Sequence, residues 1–149
     1  MVDESTQRSH DAKNAFNAAW DLIDAPHRTD EQNREMIVKA MASRFLWSIA
    51  ADPADESTLA VGDWQISHVL SLVGSGELAL LFARAALQRA EANAWEDWRL
   101  ASCHEGMARA HGVLGNHTEK ERHANACRYL LSSLDADDRA VIEGQLGTI

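Results

Sequence analysis

Apolar residues recur three and four positions apart along nearly the whole chain, which is the spacing of a helix face rather than of a strand. From about Glu4 to Asp24 the stripe is Ala12, Phe16, Ala19, Trp20 and Ile23. Ala25-Pro26-His27-Arg28 interrupts it, because proline disfavours a helical conformation in the residue before it. A second helix is expected from Thr29 to about Ala51, with Gln32 completing a capping box three positions after Thr29. Its apolar residues, Met36, Ile37, Ala40, Met41, Phe45, Trp47 and Ile49, cover more than one face and so predict a central helix.

A third helix is expected from about Asp55 to Gly74, on Leu59, Ile66, Val69, Leu70 and Val73. Gly74-Ser75-Gly76 has no strand before it, as a dinucleotide-binding loop would need. Gly74 therefore reads as the residue just past one helix and Ser75 as the N-cap of the next. The fourth helix, about Gly76 to Asn93, carries Leu78, Leu81, Phe82, Ala85 and Ala86. The fifth, about Trp95 to Leu114, carries Trp98, Ala101, Met107, Ala108 and Val113. The sixth opens on a second capping box, Thr118-Glu119-Lys120-Glu121, and carries Ala124, Cys127, Tyr129, Leu130 and Leu131. A last short helix follows Asp135 with Ala140, Val141, Ile142 and Leu146. Short links between long helices make antiparallel neighbours. The pattern thus predicts an all-α single domain over 1–149: about seven helices, forming three hairpins and a closing helix.

Composition agrees with this and narrows the partners. Two prolines, eight glycines and few β-branched residues favour helix throughout. The net charge of -9 repels phosphate backbones and anionic lipid, so neither nucleic acid nor a membrane is an expected partner. No stretch approaches the roughly 20 apolar residues of a membrane span. Met1-Val2-Asp3-Glu4-Ser5 holds no basic or apolar signal segment. With two cysteines and no signal, the expectation is a cytoplasmic protein with reduced thiols. Cys103 and Cys127 flank Gly115 at similar distances, which would let them face each other as small buried hydrophobes.

Two segments share one plan. Trp64 to Gly74 followed by Gly76 to Asn93 matches His104 to Gly115 followed by Thr118 to Ser133. Ala79, Ala83 and Ala86 follow Gly74 at the offsets at which Lys120, Ala124 and Cys127 follow Gly115. This spacing resembles tetratricopeptide repeats, in which a turn glycine and small residues at these offsets let paired helices approach closely. Ser67 and Ala108 stand where that family places a glycine, Lys120 replaces an alanine, and the closing proline is missing. The stretches Ala42 to Trp47, Asp63 to Ser67, Leu78 to Leu87 and Glu105 to His111 are also similar to small uncharacterised bacterial proteins of tetratricopeptide-like type. The resemblance implies a short right-handed superhelix and no particular reaction. In its register the first helix of each hairpin lines a concave face. Trp64, His68, Ser71 and Leu72 would point there, with Ser102, Glu105 and Arg109, and Arg44 would join them.

No motif singles out a catalytic group or a cofactor, which weighs against an enzyme. His104-Glu105 begins like a zinc-protease helix, but position 108 is alanine where the second histidine should stand. His104 and His111 lie two turns apart on one face, and His123 on the next helix could join them in a metal site. The first expectation is a protein- or peptide-interaction module using the concave face at Arg44, Trp64, His68, Ser71, Glu105 and Arg109, with a homodimer as one way to cover its ends. The alternative is a small-molecule- or metal-binding protein, or an enzyme, using His68, His104, Glu105, Arg109 and His111. A third is a structural or regulatory subunit.

Overall fold

The computed structural model describes residues 2–149. Seven helices follow one another: α1 (Glu4–Ile23), α2 (Asp30–Ala50), α3 (Glu56–Leu72), α4 (Gly76–Ala92), α5 (Trp98–Val113), α6 (His117–Leu131) and α7 (Ala136–Leu146). There is no strand among the described residues, so the chain is all-α.

The helix starts follow from side chains that satisfy otherwise unpaired backbone N–H groups. Asp3 accepts from Thr6 N, Asp55 from Thr58 N and Asp135 from Asp138 N. Thr29 and Gln32 form the capping box in both directions, at 3.2 and 2.8 Å. The second capping box does not form. α6 begins at His117 behind Asn116, so Thr118 sits inside its first turn and caps nothing. α5 starts at Trp98, three residues later than the apolar pattern suggests, because the Asp97 side chain caps it through Arg99 N.

Three helices end in the same way. Gly74 and Gly115 take φ of +81° and +74°, and their successors donate to carbonyls five residues back: Ser75 N to Leu70 O and Asn116 N to His111 O, each at 2.9 Å. This is the Schellman arrangement, which glycine enters without a Cβ penalty. α4 ends identically through Trp95 N to Ala90 O, but there the left-handed residue is Ala94 at φ 55°. Ser75 stands at the N-cap position of α4 without a side-chain cap bond.

Successive helices pack as the hairpins α1–α2, α3–α4 and α5–α6; α2 lies on α3, α4 on α5, and α3 also meets α5. The central helix is α3, buried at nearly every position from Leu59 to Ser71. α2 is not central. It packs against α1 and α3 alone, leaving Val38, Met41, Phe45 and Ile49 exposed. α4 turns inward Ala79, Leu80, Ala83, Ala86, Leu87 and Ala90, while Leu78 and Leu81 face solvent. The alanines let α4 come close enough for Ser67 Oγ to donate to Ala79 O at 2.8 Å. In the second hairpin, Lys120 fits because its aliphatic stem lies over Gly112. Cys103 belongs to the main core and Cys127 to a smaller cluster with Ala101, Leu131 and Ile142, so the two thiols are not partners. Burial pushes both up to about 12, which keeps them protonated and inert.

Candidate ligand pocket and histidine cluster

α7 packs on α5 and α6. Together with α1, α3 and α5 it encloses a pocket of about 720 Å³. Phe16, Trp20 and Ile23 come from α1, Trp64, His68 and Leu72 from α3, Trp98 and Cys103 from α5, and Val141 and Ile142 from α7. A helix turn separates Trp64 from His68, so both side chains fall on one face. Trp20 meets Trp64 at 5.7 Å and His68 at 5.4 Å between ring centroids. The wall is thus a continuous aromatic surface.

One buried polar network holds this wall together. Glu105 is fully buried; its Oε2 accepts from Trp64 Nε1 at 2.9 Å and its Oε1 from Arg109 Nε at 2.8 Å. Arg109 Nη2 then reaches the end of the chain, donating to the Gln145 carbonyl at 2.9 Å and to Thr148 Oγ1 at 2.7 Å. The carboxylate therefore sets the indole, and the guanidinium ties α7 across the pocket. Gly106 makes room for this, since a Cβ there would lie 2.9 Å from Trp64 Cδ1. Arg99 also lines the pocket but is occupied: it is bidentate to Asp97 and lies 4.1 Å over the Trp95 ring. Asp24 and Asp138 line it with no ion-pair partner among the described residues.

His68 is 5% exposed, and burial, with Arg109 and Arg28 nearby, pushes its pKa down to about 3. The ring is neutral at pH 7. Its Nδ1 has no hydrogen-bond partner, and neither has Gln145 Oε1, although both atoms are buried. An unpartnered buried polar atom costs about 1–3 kcal/mol.

A second group of ionisable side chains lies in the α5–α6 hairpin. His104 Nδ1 and His123 Nδ1 are 3.0 Å apart, and the His111 and His123 rings stack at 5.8 Å with 10° between planes. Glu119 Oε2 is 3.9 Å from His123 Nε2 and also accepts from Arg122. Burial pushes all three histidines below their usual range, His123 to about 4, where neighbouring His104 adds to the effect. The histidine rings bond to histidine, asparagine and arginine. None of these contacts pairs a hydroxyl or thiol with a base, as nucleophilic catalysis would need.

Comparison with known protein families, with characterised proteins and with solved structures finds no match. The tetratricopeptide resemblance accordingly rests on local spacing within this chain alone.

The residues expected on the concave face divide into three groups. Trp64, His68 and Arg109 line the pocket, and Glu105 lies behind them as their link. Ser71 sits a turn beyond, beside Arg109, Lys120 and Ile149 in a smaller recess. Arg44 is elsewhere: its Nε donates to Asp63 at 2.8 Å, across the α2–α3 contact. Arg44 was expected to join the concave face; its carboxylate partner is instead Asp63 on the neighbouring helix, which draws it away from the pocket. Gln145, Thr148 and the α7 wall were not anticipated, because an amphipathic stripe tells that a helix is buried without telling on which surface. Glu119 was also missed as a candidate ligand, having been assigned to the capping box that does not form.

Proposed function

We propose that this protein is a binding protein whose concave pocket takes one compact, mainly apolar ligand that is neutral or cationic. The observation that carries the reading is the pair of unpartnered polar atoms, His68 Nδ1 and Gln145 Oε1, on side chains of a mainly apolar wall. The pocket volume of about 720 Å³ suits a small organic molecule. A bound group offering a donor and an acceptor would satisfy both atoms through small rotations of the ring and the amide. Charge narrows the class. Both arginines on the wall are neutralised by Asp97 and Glu105, whereas Asp24 and Asp138 are unpaired, so an anion has nothing to meet.

A thermal-shift screen with small aromatic and aliphatic amines, alcohols and amides tests this. A ligand at about 100 times its Kd adds about 2.7 kcal/mol, or a rise of roughly 5–10 °C for a domain of this size. Ser102→Phe, which fills the pocket from its wall, should abolish the shift. If no compound gives a shift that this substitution removes, the reading fails.

Capture of a peptide or protein segment is the second reading. What favours it is the apolar surface continuing past the rim, where Trp98 is 37% and Val141 60% exposed. A peptide would seat one bulky apolar side chain in the pocket and lie along these two. In that case peptides bind, free side-chain analogues do not, and Val141→Glu weakens binding.

A further inference from the structure

We propose that His111, Glu119 and His123 form a binding site for a divalent transition ion of the zinc class, with His104 orienting His123. None of these four residues lines the concave pocket, so the inference is independent of the reading above.

The donor set is already gathered. One ligand atom from each of His111, Glu119 and His123 lies within 4.8 Å of the others. A tetrahedral ion with bonds of about 2.0–2.2 Å spaces its donors roughly 3.4 Å apart, so side-chain rotations of about an ångström close the site. The backbone need not move. Glu119 and His123 are four apart on α6, hence on one face. His111 is fixed opposite them by the turn, where its own carbonyl accepts from Asn116 N at 2.9 Å.

The hydrogen bonds around the rings suit ligation. His104 and His123 meet through Nδ1 atoms 3.0 Å apart, so one of the two must be the donor. If His123 donates, its Nε2 carries a lone pair on the side where Glu119 lies at 3.9 Å. Metal-bound histidines characteristically donate their other N–H to such a partner, which fixes the tautomer and the ring plane. Arg122 Nη2, 3.4 Å from His123 Nε2 and also bonded to Glu119, would have to swing out to admit an ion. The Asn116 side-chain nitrogen stands 3.4 Å from His111 Nδ1, and a half-turn of that amide would present its oxygen to His111 in the same way. His111 and His123 are each about 5% exposed or less, so the rings are held by packing on both sides.

Glu119 is the adjustable member. It is held by Arg122 at 2.7 Å, but Arg122 is 66% exposed and can release it to solvent. Two imidazoles with one carboxylate favour zinc, cobalt, nickel or copper over magnesium or calcium. Three protein ligands leave a fourth position for water.

The test uses the full chain, stripped with chelator and titrated separately with zinc chloride and magnesium chloride in a calorimeter. The cobalt(II) form is then read by its visible absorption. The expected result is a single stoichiometric zinc site, no magnesium binding, and a tetrahedral cobalt spectrum. H111Q, H123Q and E119Q should abolish zinc binding. H104Q, which spares the ligands, should weaken it roughly 10–100-fold. H117Q, at an exposed histidine, should leave it unchanged. E119Q alters a surface side chain and keeps the fold, so undiminished zinc binding in E119Q overturns the ligand set. No zinc binding by the wild-type chain overturns the site altogether, and H104Q binding as tightly as wild type overturns the orienting role.

Discussion

Acidification should expose how firmly His68 is held in its neutral form. Packed against Trp20 and Trp64, its ring has a pKa of about 3 in the folded chain, against about 6.5 when unfolded. Between these values the unfolded chain binds the additional proton, so stability rises with pH there. The contribution is complete above pH 6.5 and is lost progressively as pH falls toward 3. At pH 5 the loss amounts to about 2 kcal/mol from this residue alone. The assay is urea denaturation at pH 7 and pH 5 in the presence of chelator, comparing wild type with His68→Gln. His104, His111 and His123 are also pushed down, but they are common to both chains and cancel in the comparison. Wild type should therefore lose about 2 kcal/mol more than the variant over this interval. Equal losses in the two chains would refute the reasoning, since they would mean that His68 is protonated in the folded protein as readily as in the unfolded one.

Other substitutions probe the wall and the turns. Glu105→Ala leaves Arg109 buried without its carboxylate and Trp64 Nε1 without an acceptor; a loss of about 3–5 kcal/mol is expected by denaturant titration, and a loss near zero would remove the network from the account. Gly106→Ala should destabilise by about 1–3 kcal/mol despite the better helix propensity of alanine, because the new Cβ meets Trp64; unchanged stability would mean that the ring has room to shift. Ala94→Gly should stabilise by about 1 kcal/mol, seen as a higher melting temperature, because the left-handed position then carries no Cβ.

The helices themselves were legible because their signals are local. The capping box at Thr29, the turn at Gly74 and the aspartates before α3 and α7 each act within four residues. Trp64, His68, Glu105 and Arg109 were found by counting back from two turn glycines, since a helix repeats its faces whatever surrounds it. Partners are another matter. Met41, Phe45, Leu78 and Leu81 are apolar but exposed, because spacing defines a face and only packing decides which face is covered. Asp63 could not be matched to Arg44 from positions 19 apart, nor α7 to the pocket wall, because both depend on how separate hairpins stack. Glu119 was hidden by a competing local reading, the Thr118 capping box, which lost to a helix start at His117.

The Arg109 contacts to Gln145 and Thr148 have a further consequence for how the molecule breathes. α7 touches only α5 and α6, and this guanidinium is one of the few polar ties that hold it over the pocket. Arg139 ties the start of α7 to the Leu131 and Leu134 carbonyls, so the C-terminal end of the helix is the part expected to open at a lower free energy than the core and to exchange its amide protons sooner. Because Val141 and Ile142 form part of the wall, an occupant of the pocket rests on that same helix. If the pocket takes a ligand as proposed, occupancy and the order of the C-terminus belong to one linked equilibrium: a ligand should slow amide exchange along α7, and a substitution that loosens α7 should weaken binding.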